Sequence, residues 1–166
     1  MSKAALIMGS DSDFDALVPC IKTLKKFGIE VDVRVISAHR SPELAHEFAE
    51  TAEDNGYSVI IAAAGKAAHL AGVLAAFTTL PVIGIPVKSS LMDGLDSLLS
   101  VVQMPSGIPV ATVAVNGSEN AAILAAQIIA STDPAVKDKL KAHKESMKAA
   151  IIEKDKAIAQ KAKEIE

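Results

Sequence analysis

Val31-Asp32-Val33-Arg34-Val35-Ile36, followed by Ser37-Ala38-His39-Arg40-Ser41-Pro42, is the stretch whose reading decides the fold. Its first half is rich in β-branched residues and reads as a strand, and its second half opens the amphipathic run Glu43 to Asn55. Ser41 is placed to act as an N-cap and Pro42 to take the first helical position, where a missing N–H removes no bond. His39 and Arg40 therefore stand in a short turn at the carboxyl end of a strand, the edge where open α/β sheets bind ligands. A histidine there can move protons near neutral pH, and an arginine can hold a phosphate through two parallel hydrogen bonds.

The same strand–turn–helix pattern repeats on either side. Ala4 to Met8 is an apolar run ending at Gly9-Ser10-Asp11-Ser12-Asp13, which predicts a strand, a polar turn and a helix from about Asp13 to Phe27, with Ser12 or Asp11 as N-cap and Gly28 as terminator. Pro19 should kink that helix or remove one of its hydrogen bonds. Strands are expected over 29–36, 58–63, 80–87 and 109–115, with helices from Pro42 to near Gly56, to near Phe77, through Val102, and from Glu119 to Ala130. The polar segment 88–93 leads into the third of these. Five nearly all-apolar strands alternating with helices predict a parallel sheet covered on both faces, a three-layer α/β architecture. The tail from Pro134 to Glu166 differs: Asp133 caps it, no glycine or proline interrupts it, and Val136, Leu140, Met147, Ile151 and Ile158 recur at helical spacing. Such a stripe is too narrow to be buried on a finished domain and should pack on another subunit. The reading is one domain over 1–166, with a parallel core at 1–131 and a helical extension at 132–166.

Composition narrows the class. Half the chain is hydrophobic (50%) but only 3% is aromatic, so the core must be aliphatic. A formal net charge of −3 without a basic patch gives no reason to expect nucleic acid. A single cysteine, Cys20, excludes a disulfide framework and a cysteine metal site and should lie in the core. Neither a signal pattern nor a segment of membrane-spanning length is present, and the expectation is a cytoplasmic protein with no membrane partner.

Three strand ends, at Gly9 to Asp13, Ser37 to Arg40 and Ala64 to His69, fall on one edge of a parallel sheet and make one pocket if their strands are neighbours. The hydroxyls of Ser10, Ser12 and Ser37, backbone N–H groups at the helix start and the Arg40 guanidinium would suit a phosphate, whereas Asp13 suits sugar hydroxyls. Helix capping alone would account for Ser12 and Asp13. The glycine turn is neither a Walker loop nor a GxGxxG fingerprint. Among the four histidines, His46 and His143 read as solvated surface. His69 opens a helix after a glycine loop, where a backbone hydrogen bond and ligand contact are equally natural. His39 is the better candidate for chemistry because its turn has no structural need of a histidine. No metal-ligand spacing occurs among the histidines, so no metal is expected. Lys66 could contact a phosphate or carboxylate, though a loop lysine is ordinarily solvated.

Taken together, Met8 to Asp13, Ser37 to Pro42, Ala67-Ala68-His69-Leu70, the block Leu80 to Val87 and the block Asp96 to Pro105 resemble, in order and spacing, the family of N5-carboxyaminoimidazole ribonucleotide mutases of purine biosynthesis. The resemblance implies a flavodoxin-like fold and a homo-octamer in which C-terminal helices reach neighbouring subunits. It further implies transient coupling to the enzyme that makes the carbamate substrate. Carried over by motif, Ser10, Asp13 and Arg40 bind the ribonucleotide with Ser12 and Ser37 close by, and His39 is the acid/base residue; on the third loop, Gly65, Lys66 and His69 are expected to contact the substrate. The implied chemistry needs neither metal nor organic cofactor. The implied chemistry moves a carboxylate from an exocyclic nitrogen to ring C4 by release and recapture of carbon dioxide, which the small-residue stretch Ala62 to Ala68 would help retain. Two departures stand out: the family pattern has a glycine at position 66 and a proline at 71, where this chain has Lys66 and Ala71. A related branch that carboxylates aminoimidazole ribonucleotide directly often carries a basic residue in this loop but tends to lack the histidine at position 69. Direct carboxylation is therefore the alternative activity, and a non-catalytic nucleotide-binding module on the same fold is the alternative class.

Overall fold

In a computed structural model, which describes residues 2–90 and 92–165, strand and helix alternate as far as Ile129, and a further helix follows directly. The strands are β1 (Lys3–Met8), β2 (Glu30–Val35), β3 (Tyr57–Gly65), β4 (Val82–Val87) and β5 (Ala111–Thr112). The helices are α1 (Phe14–Phe27), α2 (Pro42–Thr51), α3 (Leu70–Ala76), α4 (Leu95–Val102), α5 (Ser118–Ile129) and α6 (Pro134–Lys163). Leu91, within the predicted polar segment, and the two terminal residues lie outside the described residues.

All strand pairs are parallel, in the order β2-β1-β3-β4-β5. Side chains alternate across the sheet, so each strand feeds two cores. Ala4, Leu6, Met8, Val59, Ile61 and Ile85 face α1 and α5, joined by Val136 at the start of α6. Ala5, Ile7, Ile60 and Ala62 face α2, α3 and α4. This is the flavodoxin-like three-layer arrangement expected from the run of apolar strands. Small residues set the close layer spacing: a Cβ on Gly84 would overlap Val101 of α4 and come within 3.0 Å of Val110. Cys20 is fully buried, and burial pushes its thiol up to about 12, so it is a neutral core group as expected.

Several local expectations are corrected. The first helix is preceded by a 3-10 turn over Asp11–Asp13, and its cap is Ser10, whose hydroxyl accepts from the Ser12 N–H at 3.4 Å; neither Ser12 nor Asp11 serves. Ser41 precedes α2 with Pro42 at the first position, but its hydroxyl makes no cap bond. It instead accepts from the Ser37 N–H (3.2 Å) and donates to the Ser37 carbonyl (2.9 Å). Pro19 lies on the exposed side of α1, which runs unbroken, so the loss is one bond to the Asp15 carbonyl. β2 is an edge strand rather than doubly buried; its alternating charges Glu30, Asp32 and Arg34 carry that signal, and Val35 is 55% exposed. β5 shrinks to two residues because Pro109 cannot donate to a ladder, although Val113 and Asn116 still donate to the Gly84 and Pro86 carbonyls.

α6 is capped by the Asp133 carboxylate, which accepts from the Ala135 and Val136 N–H groups. Val136 is buried and Leu140 packs against the same core, whereas Met147, Ile151 and Ile158 are exposed, so the outer part of the stripe finds no cover among the described residues. His143 is not a solvated residue: its ring meets Phe27 edge-on at 5.6 Å, and its Nδ1 lies 3.5 Å from the Lys26 ammonium. No helix among the described residues is long and apolar enough to cross a membrane.

Candidate active site

The strand order places β1 between β2 and β3, so the loops that leave their carboxyl ends meet over the sheet edge. They enclose a cavity of about 590 Å³. All nine residues singled out from the sequence line it: Ser10, Ser12 and Asp13 after β1; Ser37, His39 and Arg40 after β2; Gly65, Lys66 and His69 at and after β3. A fourth wall, Val87 to Ser90 at the end of β4, was not anticipated. The strand-end rule that located the other three loops applies equally to it.

The Arg40 corner is tightly specified. Its backbone N–H donates to the Ser37 hydroxyl at 3.2 Å, its Nε donates to the same oxygen at 3.4 Å, and its Nη2 donates to the Gly9 carbonyl at 3.0 Å. The guanidinium thereby bridges the ends of β1 and β2 and keeps further N–H donors for a ligand. The Ser12 hydroxyl bonds Ser10 at 2.9 Å, giving a row of hydroxyls beside it. Asp13 is partly buried, and burial raises its carboxyl above the ordinary value; the Ser12 hydroxyl pulls the other way and the neighbouring Asp11 charge reinforces the rise.

Two histidines that are distant in sequence come together. His39 Nε2 lies 2.9 Å from His69 Nδ1, with the rings at 89°. One ring must donate and the other accept, so the pair cannot carry protons on both facing nitrogens. His69 occupies the position before α3, fixed by its N–H to the Ala67 carbonyl and by its carbonyl accepting from Val73. It therefore has both the backbone hydrogen bond and the place in the cavity that its position in the sequence left open. His39 Nδ1 has no partner among the described residues and is free for a ligand. His46, by contrast, sits on α2 against Phe77 and Glu50, outside the cavity.

Lys66 adopts φ 55°, the left-handed region that favours glycine, which gives a backbone reason for the glycine in the family pattern at this position. Of the stretch Ala62 to Ala68, Ala62 and Ala63 are buried inside β3 and Ala68 is buried beyond it, so only Ala64 and Ala67 present methyl groups to the cavity. Among the described residues no group of three or more His, Cys, Asp or Glu could hold a metal ion.

Comparison with known proteins places these features in context. Residues 3–150 match the family described as AIR carboxylase. The chain is 56% identical over 148 residues to an N5-carboxyaminoimidazole ribonucleotide mutase of Pyrococcus abyssi, covering 89% of this chain and 85% of that protein. It is 49% identical to the protein of the same name from Thermotoga maritima, covering 96% and 94%. The crystal structure of Treponema denticola PurE superposes with a TM-score of 0.87 at 32% identity, covering 95% of this chain and 98% of that one.

Proposed function

We propose, on the premise that this chain belongs to the AIR carboxylase family, an account of what its pocket does. The protein is an enzyme, an N5-carboxyaminoimidazole ribonucleotide mutase of purine biosynthesis, and it produces 4-carboxy-5-aminoimidazole ribonucleotide. The observation that carries the assignment of roles is the His39–His69 contact beside the Arg40 corner in one cavity.

Arg40 and the hydroxyls of Ser10, Ser12 and Ser37 take the phosphate, and Asp13 accepts from ribose hydroxyls. His39 works at the imidazole end through its free Nδ1, and His69 positions it by fixing Nε2. The step balances without any other reactant. The N–C bond of the carbamate breaks, carbon dioxide leaves, and His39 gives a proton to the exocyclic nitrogen. Ring C4 then attacks the carbon dioxide, the new C–C bond forms, and the C4 proton returns to His39. One proton goes out and one comes back, so a single imidazole suffices. Ala64 and Ala67 help keep carbon dioxide in place and water out.

The chain works as a single domain, with 1–131 as catalytic core and 132–166 as a subunit-packing extension. The subunits form a homo-octamer in the cytoplasm. Exposed Met147, Ile151 and Ile158 on α6 support packing on neighbouring subunits. Delivery of the unstable carbamate by transient contact with the enzyme that makes it completes this reading.

The function is tested by turnover on two substrates in parallel: N5-carboxyaminoimidazole ribonucleotide without bicarbonate, and 5-aminoimidazole ribonucleotide with bicarbonate. The first alone should be converted efficiently. Efficient use of the second would instead assign direct carboxylation, the reading that Lys66 in place of glycine favours. Activity on neither would leave a nucleotide-binding module.

A further inference from the structure

The β3–β4 side of the cavity carries two more cations. The parallel register pairs Ala64 with Pro86 and Gly65 with Val87. Lys66 and Lys88 are therefore the next residues out, at the ends of strands that lie about 4.8 Å apart. The crossing beneath them is close, since a Cβ on Gly65 would stand 3.3 Å from the Val87 carbonyl oxygen. Both lysines line the cavity.

Neither ammonium is committed to the fold. Lys66 makes no hydrogen bond or ion pair among the described residues and is held in a backbone conformation that a side chain disfavours. Lys88 is anchored through its backbone N–H, which donates to Asn116 Oδ1 at 2.9 Å. Among the described residues its Nζ meets only Asp93, at 2.9 Å, and that side chain is 84% exposed, a pairing solvent makes easily exchanged. Among the described residues Asp13 is the one acidic residue lining the cavity, and it stands on the β1 side. Two cations at adjacent strand ends, one paired only with an exposed carboxylate, favour an anion between them.

We infer that Lys66 and Lys88 form a second anion subsite, separate from the Arg40 corner, that holds the carboxylate end of the substrate. The assignment rests on the mutase reading, in which the ligand has a phosphate at one end and a carboxylate at the other. Along the sheet edge the cations follow in that sense: Arg40 beyond β2, Lys66 beyond β3 and Lys88 beyond β4, with the His39–His69 contact between the first two. The subsite holds the carboxylate before it leaves nitrogen and again after it reaches carbon. Lys88 exchanges Asp93 for the ligand as it does so.

Calorimetric titration of the full chain with 4-carboxy-5-aminoimidazole ribonucleotide and with 5-aminoimidazole ribonucleotide tests this. Wild type should prefer the carboxylated nucleotide. Lys66→Gly, which also relieves the backbone, and Lys88→Gln should each weaken that ligand by on the order of tenfold while leaving the other within about twofold. Asp93→Asn, which frees Lys88, should keep or tighten carboxylate binding. Equal losses for both nucleotides, no loss, or an Asp93→Asn defect matching Lys88→Gln would overturn the subsite. Failure of wild type to bind either nucleotide would overturn the mutase reading, and the subsite with it.

Discussion

Replacing His39 by Asn is expected to reduce turnover of N5-carboxyaminoimidazole ribonucleotide by about 10²- to 10⁴-fold, the range over which a positioned general acid/base contributes. Nucleotide affinity should stay within a few-fold of wild type, because the phosphate corner is built from Arg40, Ser37 and the Gly9 carbonyl and does not use the imidazole. Asparagine keeps a polar group facing His69 but cannot shuttle a proton. Steady-state turnover and equilibrium binding on the same preparations decide the matter. A variant that keeps more than about a tenth of wild-type turnover would remove His39 from the proton path. One that loses binding in proportion would make it a ligand contact instead.

Arg40→Ala should weaken phosphate-bearing ligands by on the order of a hundredfold, the scale of truncating one partner of a charge-assisted contact. The unphosphorylated nucleoside should lose far less. Arg40 also ties β1 to β2 through Gly9 and Ser37, so some general loosening is built into the truncation. Arg40→Lys separates the two effects: it keeps a charge for the phosphate but cannot span Ser37 and Gly9 with one planar fork. Competition binding with nucleotide and nucleoside reads both. An equal loss for the two ligands would show that Arg40 only braces the loops.

Much of this site is legible in the sequence because parallel α/β sheets obey a positional rule. Every strand delivers its following loop to one edge, so locating β1, β2 and β3 was enough to gather Ser10, Asp13, His39, Arg40 and His69. Applied to β4, the same rule reaches Lys88. Lys88 carries no local signal of its own, because the polar segment after Val87 reads as an ordinary connection. The sequence puts His39 and His69 in one pocket but carries no sign of their direct contact. That contact depends on two loops separated by thirty residues meeting across β1, and no local pattern carries such information.

Ser12, Asp11 and Ser41 are good caps by residue type, but hydroxyl geometry chose Ser10 for one turn and bent Ser41 back onto Ser37 for the other. In the edge strand, Val31 and Val33 do pack against the core, but Glu30, Asp32 and Arg34 alternate with them and Val35 stays exposed, so only one face of the strand is covered. His143 looked solvated among lysines, yet α6 lays it against Phe27, a long-range packing event. Lys66 is the informative departure. Its left-handed φ shows that the backbone kept the shape a glycine would favour while the side chain placed a charge in the pocket.

The central claim is that the carboxylate is passed within the pocket through trapped carbon dioxide. Its most direct test follows carboxyl-labelled N5-carboxyaminoimidazole ribonucleotide through turnover in a large excess of unlabelled bicarbonate. The account predicts that the label appears at the C4 carboxylate of the product. Product carrying the isotopic composition of the bulk bicarbonate pool would contradict it.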